Sequence, residues 1–477
     1  MPRRLCVSSL RTRPPKFSVL LFQFSILPGK VVKSSYMKPI EPRTLKGFRD
    51  YLPPEQAARG RIFEKIRKIF ELYGFEPLET PVLEYQDILG GKYGEEGEQL
   101  MYRFRDHGGR EVAMRYDLTV PLARAFAQHE NDLPSPFKRY QIAPVWRAEN
   151  TQKGRYREFY QCDADVLGAD LGISDAECIA MAEAVLKELG VKKFVIKVNN
   201  RKILNAIMLT AKVPPEKIVL GIRAIDKIEK IGAKAVAQEL ENKIGMEKHE
   251  AEGLIRLAST KVPDVGALKD FMSKYILRQP QGKQGFEELN KVFLALKELG
   301  VKHAEIDLSL ARGLDYYTST VFEAVITESM ESRRFGSVAA GGRYDHLLRL
   351  FTGKDVPAVG ISLGLDRMFG AMEELGLIQK SGTVKVLLLN LDEKLEQDYL
   401  NILADLRSAG INSELYQKPA DIKKQFAYAE SKQIPFAVIL GENEKKRNEV
   451  ALRDLNARKQ KNIKIKNLAS EINKKIK

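Results

Sequence analysis

The sequence has few of the residues and runs that mark several protein classes. Its three cysteines, Cys6, Cys162 and Cys178, form no CxxC pair, so a disulfide framework and a Cys-based zinc site both lack ligands. The five histidines are scattered, without an HExxH motif or a plausible nucleophile and base pair, and no metal site is expected. The longest strongly apolar stretch, residues 19–27, is far shorter than the ~20 residues that a membrane-spanning helix needs.

Acidic residues are missing from the first 40 positions, which hold eight lysines and arginines. Residues 1–37 are excluded from the fold as a basic leader, interpreted as a transit peptide or as the product of an upstream start codon, because Met37 opens a sequence typical of a protein start. A secretory signal is disfavoured, because no small-x-small cleavage site follows the apolar patch. We expect a cytoplasmic protein, with an organelle as the alternative if the leader is a genuine transit peptide.

Positive charge is abundant but unevenly placed. The 477 residues carry a net charge of +15, and residues 383–477 hold 19 basic and 13 acidic side chains, so this segment and residues 1–40 contain 14 of the 15 excess charges. That distribution indicates an enzyme body joined to a basic nucleic-acid-binding tail rather than a DNA-coating protein. A solvated lysine-rich face is the alternative.

Hydrophobic periodicity organises the body of the chain. Apolar residues at helical spacing predict an amphipathic helix over 55–73 ended by Gly74, followed by a strand over 75–82 that contains Pro81. Alternating, aromatic-rich segments at 138–147 and 155–166 predict an antiparallel hairpin. Residues from about 215 to 290 are dense in Lys, Glu and Ala and predict an inserted helical module, with a flexible exit at RQPQGKQG.

A linker at 380–383 separates this body from the tail. Beyond it, strands at 384–391, 412–416 and 436–440 alternate with helices at 395–409 and 422–431. The alternation predicts a separate small βαβαβ domain with a largely parallel sheet. At roughly 150 residues per domain, the length agrees with about three structural units.

The hairpin carries residues suited to a nucleotide. Because side chains alternate across a strand, Arg155, Phe159 and Gln161 lie on one face. Guanidinium groups bind phosphate in bidentate fashion, and an aromatic ring beside them offers a stacking surface for a base. The alternative is a solvent-facing strand with alternating salt bridges.

Two further stretches combine glycine with arginine and tyrosine. Residues 312–318, RGLDYYT, place an arginine beside two phenols and an acid, which can stabilise phosphoryl charge and bind the N–H groups of a polar ring. Residues 339–345, AAGGRYD, predict a glycine-rich turn packed against a ligand, but they match neither a Walker A loop nor a GxGxxG fingerprint. A core tyrosine and a plain turn are the alternatives.

Isolated charges in apolar surroundings complete the candidates. Arg367 follows the apolar, glycine-containing segment GISLGLD, where an unneutralised arginine is costly to bury, so we expect either an anion ligand or an ion pair with Asp366, Glu373 or Glu374. Asp117 and Thr119 offer an acid and a hydroxyl that can hold an ammonium group, although a helix N-cap explains them equally well.

In this order, the motifs over about 38–477 resemble the histidyl-tRNA synthetases, a family of class II aminoacyl-tRNA synthetases. The helix with Pro81 resembles motif 1, residues 138–166 resemble motif 2, and Arg367 with the preceding SLGLD resembles motif 3. ARGLDYYT and AAGGRYD resemble the two histidine-specific signatures of the family. The implied fold is α+β, with a class II antiparallel-sheet catalytic domain over 38–380 that contains the insertion, and an α/β anticodon-binding domain over 383–477.

The resemblance also implies roles for individual residues. Arg312 and Arg147 would be catalytic, and Gln152 would face the acceptor end of the tRNA. Histidine would be bound by Asp117, Leu118, Thr119, Gln161, Asp165, Arg312, Tyr316 and Tyr317. ATP would be bound by Arg147, Glu149, Arg155, Phe159 and Arg367. Asp165 and Tyr317 would recognise the imidazole, and Phe159 would stack on adenine.

The implied activity is the joining of histidine to tRNA(His). Histidine would attack ATP to form histidyl-adenylate, with Mg²⁺ on the β- and γ-phosphates, and the tRNA would then accept the histidyl group. Motif 1 further implies a homodimer. Two relatives without this activity share the class II body: the regulatory subunit of ATP phosphoribosyltransferase and synthetase-like domains that sense uncharged tRNA. The intact histidine signatures, the tail domain and the presence of Arg312 and Arg367 favour the synthetase.

Overall fold

The structure, a computed structural model, describes residues 40–91, 94–152, 154–276, 279–312 and 316–476. The predicted leader, 1–37, lies outside the described residues. Thr44–Lys477 form one compact unit, and the described residues that precede it, 40–43, are exposed and form neither helix nor strand. Within the described ranges, no helix has the length and apolar character needed to cross a membrane.

The strands are distributed over three sheets. In chain order they are β1 Glu76–Pro77, β2 Leu83–Tyr85, β3 Arg103–Arg105, β4 Glu111–Met114, β5 Phe137–Trp146, β6 Glu158–Leu167, β7 Phe194–Asn200, β8 Lys261–Val262, β9 Ala304–Asp307, β10 Thr320–Ile326, β11 Ser337–Arg343, β12 Ala358–Gly364, β13 Val386–Leu388, β14 Ser413–Leu415, β15 Phe436–Ile439, β16 Glu449–Asp454 and β17 Lys459–Lys464.

The α-helices lie between and around these strands. They are α1 Pro53–Leu72, α2 Gln86–Leu89, α3 Gly94–Gln99, α4 Thr119–Gln128, α5 Ile173–Glu188, α6 Arg201–Thr210, α7 Ile218–Ile225, α8 Ile228–Ile231, α9 Ala233–Ile244, α10 Lys248–Ala258, α11 Val265–Tyr275, α12 Pro280–Glu298, α13 Met330–Arg333, α14 Arg349–Thr352, α15 Leu365–Glu374, α16 Glu396–Ser408, α17 Ile422–Ser431, α18 Glu442–Lys446 and α19 Leu468–Ile476.

A nine-stranded sheet forms the centre of the body, in the order β1-β5-β6-β12-β11-β10-β7-β9-β8. Its pairs are antiparallel except β1 with β5 and β7 with β9. The hairpin predicted from alternation is confirmed as β5 and β6, which pair antiparallel from Phe137–Leu167 to Trp146–Glu158. The α+β class with a mainly antiparallel sheet is confirmed as well.

The two faces of this sheet differ in chemistry because side chains alternate along each strand. On one face, Cys162, Ala164 and Ile361 join a large apolar core with residues of α1 and α5. On the other face, the same strands present polar residues such as Asp163 and Asp165, both buried. The apolar face anchors the helices, so the polar face is left to form a site.

The helical insertion is confirmed, but its predicted flexible exit at RQPQGKQG is wrong. Within the described residues the segment continues from 279 directly into α12. Its glycines permit close helix packing: a Cβ on Gly282 would lie 2.8 Å from Ile276 Cγ2, and one on Gly285 would lie 2.9 Å from the backbone nitrogen of Ile203. Glycine therefore marks tight contact between α12 and α6 rather than a loose connection.

The tail contains the predicted βαβαβ order in a five-stranded sheet, β14-β13-β15-β16-β17. Strands β13, β14 and β15 are parallel, and the antiparallel hairpin β16–β17 extends the edge beyond the prediction. Alternate residues of β13 are buried on both faces: Val386 and Leu388 contribute to the core formed with α16 and α19, whereas Leu387 lies in the core with α17.

Two other local predictions are wrong. The strand predicted over 75–82 is only the two-residue edge strand β1, and Pro81 lies beyond it. The glycines of AAGGRYD form no turn, because the segment through Arg343 belongs to the interior strand β11 and a turn begins only at Asp345. The small side chains let neighbours approach: a Cβ on Gly341 would lie 2.1 Å from the carbonyl oxygen of Gly360.

Replacement of Gly341 by alanine should therefore destabilise the body. Both the backbone of β12 and the ring of Phe322 would have to move, so we expect a loss of about 1–3 kcal/mol in the free energy of unfolding. Denaturant unfolding measures it. The matched control is Gly60→Ala in α1, where no heavy atom lies within 4 Å of the new Cβ and alanine favours the helix. Equal stability of the two variants would contradict the packing argument.

Candidate functional site

The polar face of the sheet brings together most residues singled out from the sequence. Phe159, Gln161 and Asp165 alternate along β6, opposite Gly364 and Gly360 of β12. Small residues in β11 and β12 leave room above this face. A glycine is required at 360, because a Cβ there would lie 1.9 Å from Asp165 Oδ1.

Arg147 and Arg155 come from the turn between β5 and β6. Arg147 donates from Nε to the carbonyl oxygen of Tyr116 at 3.0 Å, and its guanidinium lies 4.3 Å from the Tyr116 ring centroid and 5.2 Å from that of Phe159. Arg155 pairs with Glu149, which is mostly buried. These contacts fix an arginine beside an aromatic ring that a base can stack on.

Arg367 lies in the first turn of α15 and belongs to the same group of cations. Its Nη1 donates to the carbonyl oxygen of Ser337 at 3.2 Å. Burial lowers the pKa of Arg367, and the charge of Arg155 lowers it further. Arg147 and Arg312 shift this pKa in the same direction, whereas Glu149 opposes them.

The predicted ion-pair partner of Arg367 is engaged elsewhere. Asp366 Oδ1 accepts from Arg49 Nη2 and Arg59 Nη1, each at 2.7 Å, and from the Tyr51 hydroxyl at 2.9 Å. Its Oδ2 accepts the backbone N–H of Tyr160 at 3.1 Å. Over the described part of the chain, Arg367 forms no ion pair with a carboxylate, so the cluster has an excess of positive charge that an anion would balance.

Arg312 reaches the group from the direction of β10, on the same polar face. Its Nη1 lies 3.6 Å from Glu323 Oε2 of β10, and its backbone has a φ of +55°, in the left-handed region. Such a conformation costs about 1–3 kcal/mol outside glycine and persists where the surrounding structure determines it. Gly313, Leu314 and Asp315, which follow it, lie outside the described residues.

Three tyrosines form a compact group next to Arg312. The ring of Tyr316 lies 4.9 Å from that of Tyr317 and 5.9 Å from that of Tyr344. The Tyr344 hydroxyl donates to Asp165 Oδ1, and Asp165 Oδ2 lies 2.8 Å from Arg139 Nη2. Burial raises the pKa of Tyr344 well above its usual value, so this phenol stays protonated as a donor.

Two neighbouring acceptor atoms on β6 are left open by the described part of the chain. Gln161 Nε2 donates to Ser362 Oγ at 2.7 Å, but its Oε1 has no hydrogen-bond partner among the described residues, and neither does Asp163 Oδ1. Burial, followed by the charge of Asp165, raises the pKa of Asp163 to about 7. Because buried polar atoms are rarely left unpaired, these acceptors suit a ligand that carries N–H groups.

Asp117, Leu118 and Thr119 lie at the start of α4. The Val120 N–H donates to Asp117 Oδ1 at 3.1 Å, which agrees with the helix-capping interpretation of this acid. Leu118 is fully buried, and its carbonyl oxygen accepts from Arg139 Nη2 at 3.1 Å. The start of α4 is therefore connected to the polar face through Arg139, which also pairs with Asp165.

Gln152 stands apart from this group, at the tip of the turn between β5 and β6. Its backbone exchanges two hydrogen bonds with that of Arg155, at 3.1 and 2.9 Å, and the side chain is exposed. Lys153 lies outside the described residues. The turn is folded over the cluster, because a Cβ on Gly154 would lie 3.6 Å from the Cα of Arg367.

Sequence reasoning missed several residues of the site. Tyr344 and Asp163 both lie within segments singled out from the sequence, and strand alternation continued from Gln161 is the signal that could have found Asp163. Arg343 has a different role: it is buried and makes a two-pronged ion pair with Asp175, at 3.1 and 2.6 Å. No spacing in the sequence indicates the pairing of Arg139 with Asp165.

Comparison with known proteins follows the same division of the chain. The profile of a family described as Histidyl-tRNA synthetase matches residues 47–368, and that of the Anticodon binding domain matches residues 384–475. The chain is 42% identical to the Histidine--tRNA ligase of Wolinella succinogenes, with 87% of this chain and 94% of that protein covered. For the enzyme of the same name from Rhodopirellula baltica, the identity is 39%, and the covered shares are 89% and 96%.

Solved structures show the same similarity. The histidyl-tRNA synthetase of Nostoc sp. PCC 7120 superposes with a TM-score of 0.81 at 33% identity, covering 92% of this chain and 100% of that one. A protein from Bacillus halodurans, described as an ATP phosphoribosyltransferase regulatory subunit/histidyl-tRNA synthetase, shares the fold with a TM-score of 0.70 at 22% identity, over 85% of this chain and all of that one.

The Asp366 network should be essential for stability. Asp366→Ala leaves two guanidinium groups, of which Arg59 is fully buried, without their carboxylate, and breaking a buried pair in this way costs about 3–5 kcal/mol. Denaturant unfolding measures the decrease in stability. Glu373→Ala on the same helix is the control, because the pair of Glu373 with Lys380 is exposed and worth at most about 1 kcal/mol. A similar decrease in both variants would contradict the assignment.

Proposed function

Because this chain belongs to the histidyl-tRNA synthetase family and joins histidine to tRNA at the expense of ATP, we propose which of its residues perform each part of that reaction. In this family, the histidine carboxylate attacks the α-phosphorus of ATP, giving histidyl-adenylate and diphosphate. The terminal ribose hydroxyl of the tRNA then accepts the histidyl group and releases AMP. The observation that carries the proposal is the convergence of Arg147, Arg155, Arg312 and Arg367 beside a pocket of phenols and acids.

The arginines would bind the triphosphate. Arg147, which is held against the Tyr116 ring, would contact the α-phosphate, while Arg155 and Arg367 would bind the β- and γ-phosphates. Phe159 stacks on adenine, and Glu149 approaches the adenine edge. The lowered pKa of Arg367 supports this, because an anion would relieve the crowding of positive charge around it.

Arg312 would stabilise the charge that develops on the α-phosphate. It enters from the histidine side, next to Tyr317, so it can contact both reactants. The proposed chemistry needs no protein nucleophile, since the histidine carboxylate is itself the nucleophile. Catalysis then comes from positioning and from preorganised positive charge.

Histidine would occupy the space among Tyr316, Tyr317 and Tyr344. Asp165 and Tyr317 recognise the imidazole. Asp165 is held by Arg139 and by the Tyr344 hydroxyl, which fix its orientation. The unsatisfied oxygen of Gln161 supports its assignment to the ammonium group. Asp117, Leu118 and Thr119 complete that end of the pocket.

Mg²⁺ is the expected companion of ATP. It binds through one or two carboxylates together with phosphate oxygens and water. Bound Mg²⁺ would neutralise charge on the β- and γ-phosphates, beside the arginines proposed to bind them.

The tail would bind tRNA, and Gln152 would face the acceptor end. Several of the basic side chains in 445–477 are paired within the tail: Lys461 and Lys474 with Glu471, and Lys475 with Asp454. Arg458, in the turn between β16 and β17, and Lys459, the first residue of β17, are exposed and form no ion pair with a described residue. These two cations are therefore accessible to phosphate.

A homodimer and a cytoplasmic location are also proposed. Exposed apolar residues from the end of α1 to β3 support an interface there, namely Leu72, Val82, Leu83, Tyr85 and Phe104. Sedimentation of the purified chain tests the dimer.

The relatives from Rhodopirellula baltica and Wolinella succinogenes are bacterial, which supports the proposed cytoplasmic location. Import of a reporter fused to residues 1–37 into an organelle would contradict that location.

Histidine-dependent exchange of labelled diphosphate into ATP tests the assignment. We expect exchange with histidine and not with other amino acids, and a decrease of about 10²- to 10³-fold in Arg312→Ala, because this variant lacks one preorganised charge at the reacting phosphate. Arg349→Ala is the control, since Arg349 is exposed and pairs with Asp355. Exchange supported by another amino acid, or unchanged exchange in Arg312→Ala, would refute the proposal.

The tail is tested by the salt dependence of tRNA binding. Replacing Arg458 and Lys459 together by glutamine should lower tRNA affinity and reduce the slope of log affinity against log salt by about 0.7–0.9 for each phosphate that is no longer neutralised. Diphosphate exchange, which needs no tRNA, should not change. Lys461→Gln, whose charge is already paired, serves as the control. An equal effect in this control would remove the two residues from the proposed interface.

A further inference from the structure

The backbone of Arg312 is held by the helical insertion. Its N–H donates to Asp226 Oδ1 at 3.1 Å, and Asp226 immediately follows α7, within the insertion. Arg312 itself has a φ of +55°. A non-glycine residue keeps this left-handed conformation only where its surroundings determine it. The Asp226 carboxylate helps to determine it, because the Arg312 N–H donates to Asp226 Oδ1 in this backbone conformation.

The side chain of Arg312 is held less firmly than its backbone. Its Nε is buried and has no hydrogen-bond partner among the residues that the structure describes. The ion pair with Glu323 is long, at 3.6 Å, and Tyr317 provides a further contact. The direction of the guanidinium therefore depends strongly on the backbone that carries it.

Asp226 is itself kept in place against the sheet. In α8, next along the chain, Glu229 pairs with Lys197 of β7, and Lys197 Nζ also lies 3.1 Å from Asp307 Oδ2 of β9. From the sheet side, Asn199 Nδ2 donates to the carbonyl oxygens of Leu308 and Leu310, at 3.2 and 3.0 Å. The segment before Arg312 is thus fixed by the sheet, and Arg312 itself by the insertion.

We propose that Asp226 is a positioning residue for the first step of the reaction, holding Arg312 in the backbone conformation that aims its guanidinium at the α-phosphate. This inference rests on the role proposed above for Arg312. It makes the insertion part of the apparatus that activates histidine, before any tRNA is bound. The relevant property of Asp226 is the acceptor oxygen at its present position, and its negative charge is secondary.

Four variants at two positions separate these properties. Asp226→Ala removes the acceptor, Asp226→Asn keeps it without the charge, and Asp226→Glu keeps the charge but displaces the oxygens by one methylene. Lys230→Ala is the matched control, because Lys230 Nζ lies 3.4 Å from Asp226 Oδ2 and does not touch the Arg312 N–H. Arg312→Ala measures the full contribution of the side chain being positioned.

Histidine-dependent diphosphate exchange is measured for each variant, with kcat and the KM values for ATP and histidine. Asp226→Ala and Asp226→Glu should lower kcat by about 10- to 100-fold, the effect of a misplaced reacting group, with KM changed no more than about twofold. Asp226→Asn and Lys230→Ala should stay within about threefold of the parent. Thermal unfolding of each variant establishes that it is folded.

The outcomes are distinguishable. Full kcat in Asp226→Ala or Asp226→Glu, with Arg312→Ala defective, would overturn this inference and leave the proposed function intact. A defect in Asp226→Asn as large as that in Asp226→Ala would overturn it too, because Asp226→Asn keeps the acceptor oxygen and lacks only the charge. Normal exchange in Arg312→Ala would refute the proposed function itself. If Asp226→Ala does not fold, the comparison of Asp226→Asn with Asp226→Glu decides the question.

Discussion

Electrostatic repulsion among arginine side chains is the constraint on which the catalytic body depends. Arg367 is partly buried, and the charges of Arg155 and Arg147 lower its pKa further, so the cluster exists only because other contacts fix its members. Asp366 provides one of these contacts, since it ties the start of α15 to Arg59 and to the neighbouring strand β6. A polyanion would relieve the repulsion, and a ligand that binds only the folded state also stabilises it.

Next to the arginine cluster, the polar face of the same sheet carries acidic and phenolic side chains. There, Asp163 and Asp165 are buried with tyrosines, and burial raises the pKa of Asp163 to about 7. A substrate that lies across both regions has its anionic end among guanidinium groups and its N–H groups among acceptors. Such an arrangement aligns two reactants without contributing a nucleophile, which agrees with joining an amino acid to ATP.

Much of this architecture could be predicted from the sequence where periodicity is strong. The β5–β6 hairpin, α1 and the alternating tail were predicted because their patterns are regular. Glycine misled twice: Gly341 indicated a turn and Gly282 a flexible exit, yet both allow close packing that depends on partners distant in sequence. Likewise, nothing local indicates that Asp226 contacts Arg312, since a separation of 86 residues lies between them.

A crystal structure with a non-hydrolysable analogue of histidyl-adenylate tests the central claim most directly. The account predicts that the phosphate-like group lies within hydrogen-bonding distance, about 3 Å, of Arg147 and Arg312. It also predicts that the imidazole lies beside Tyr317 and Asp165, with adenine on Phe159. An analogue bound with its imidazole towards solvent, or with its phosphate away from both arginines, would contradict the account.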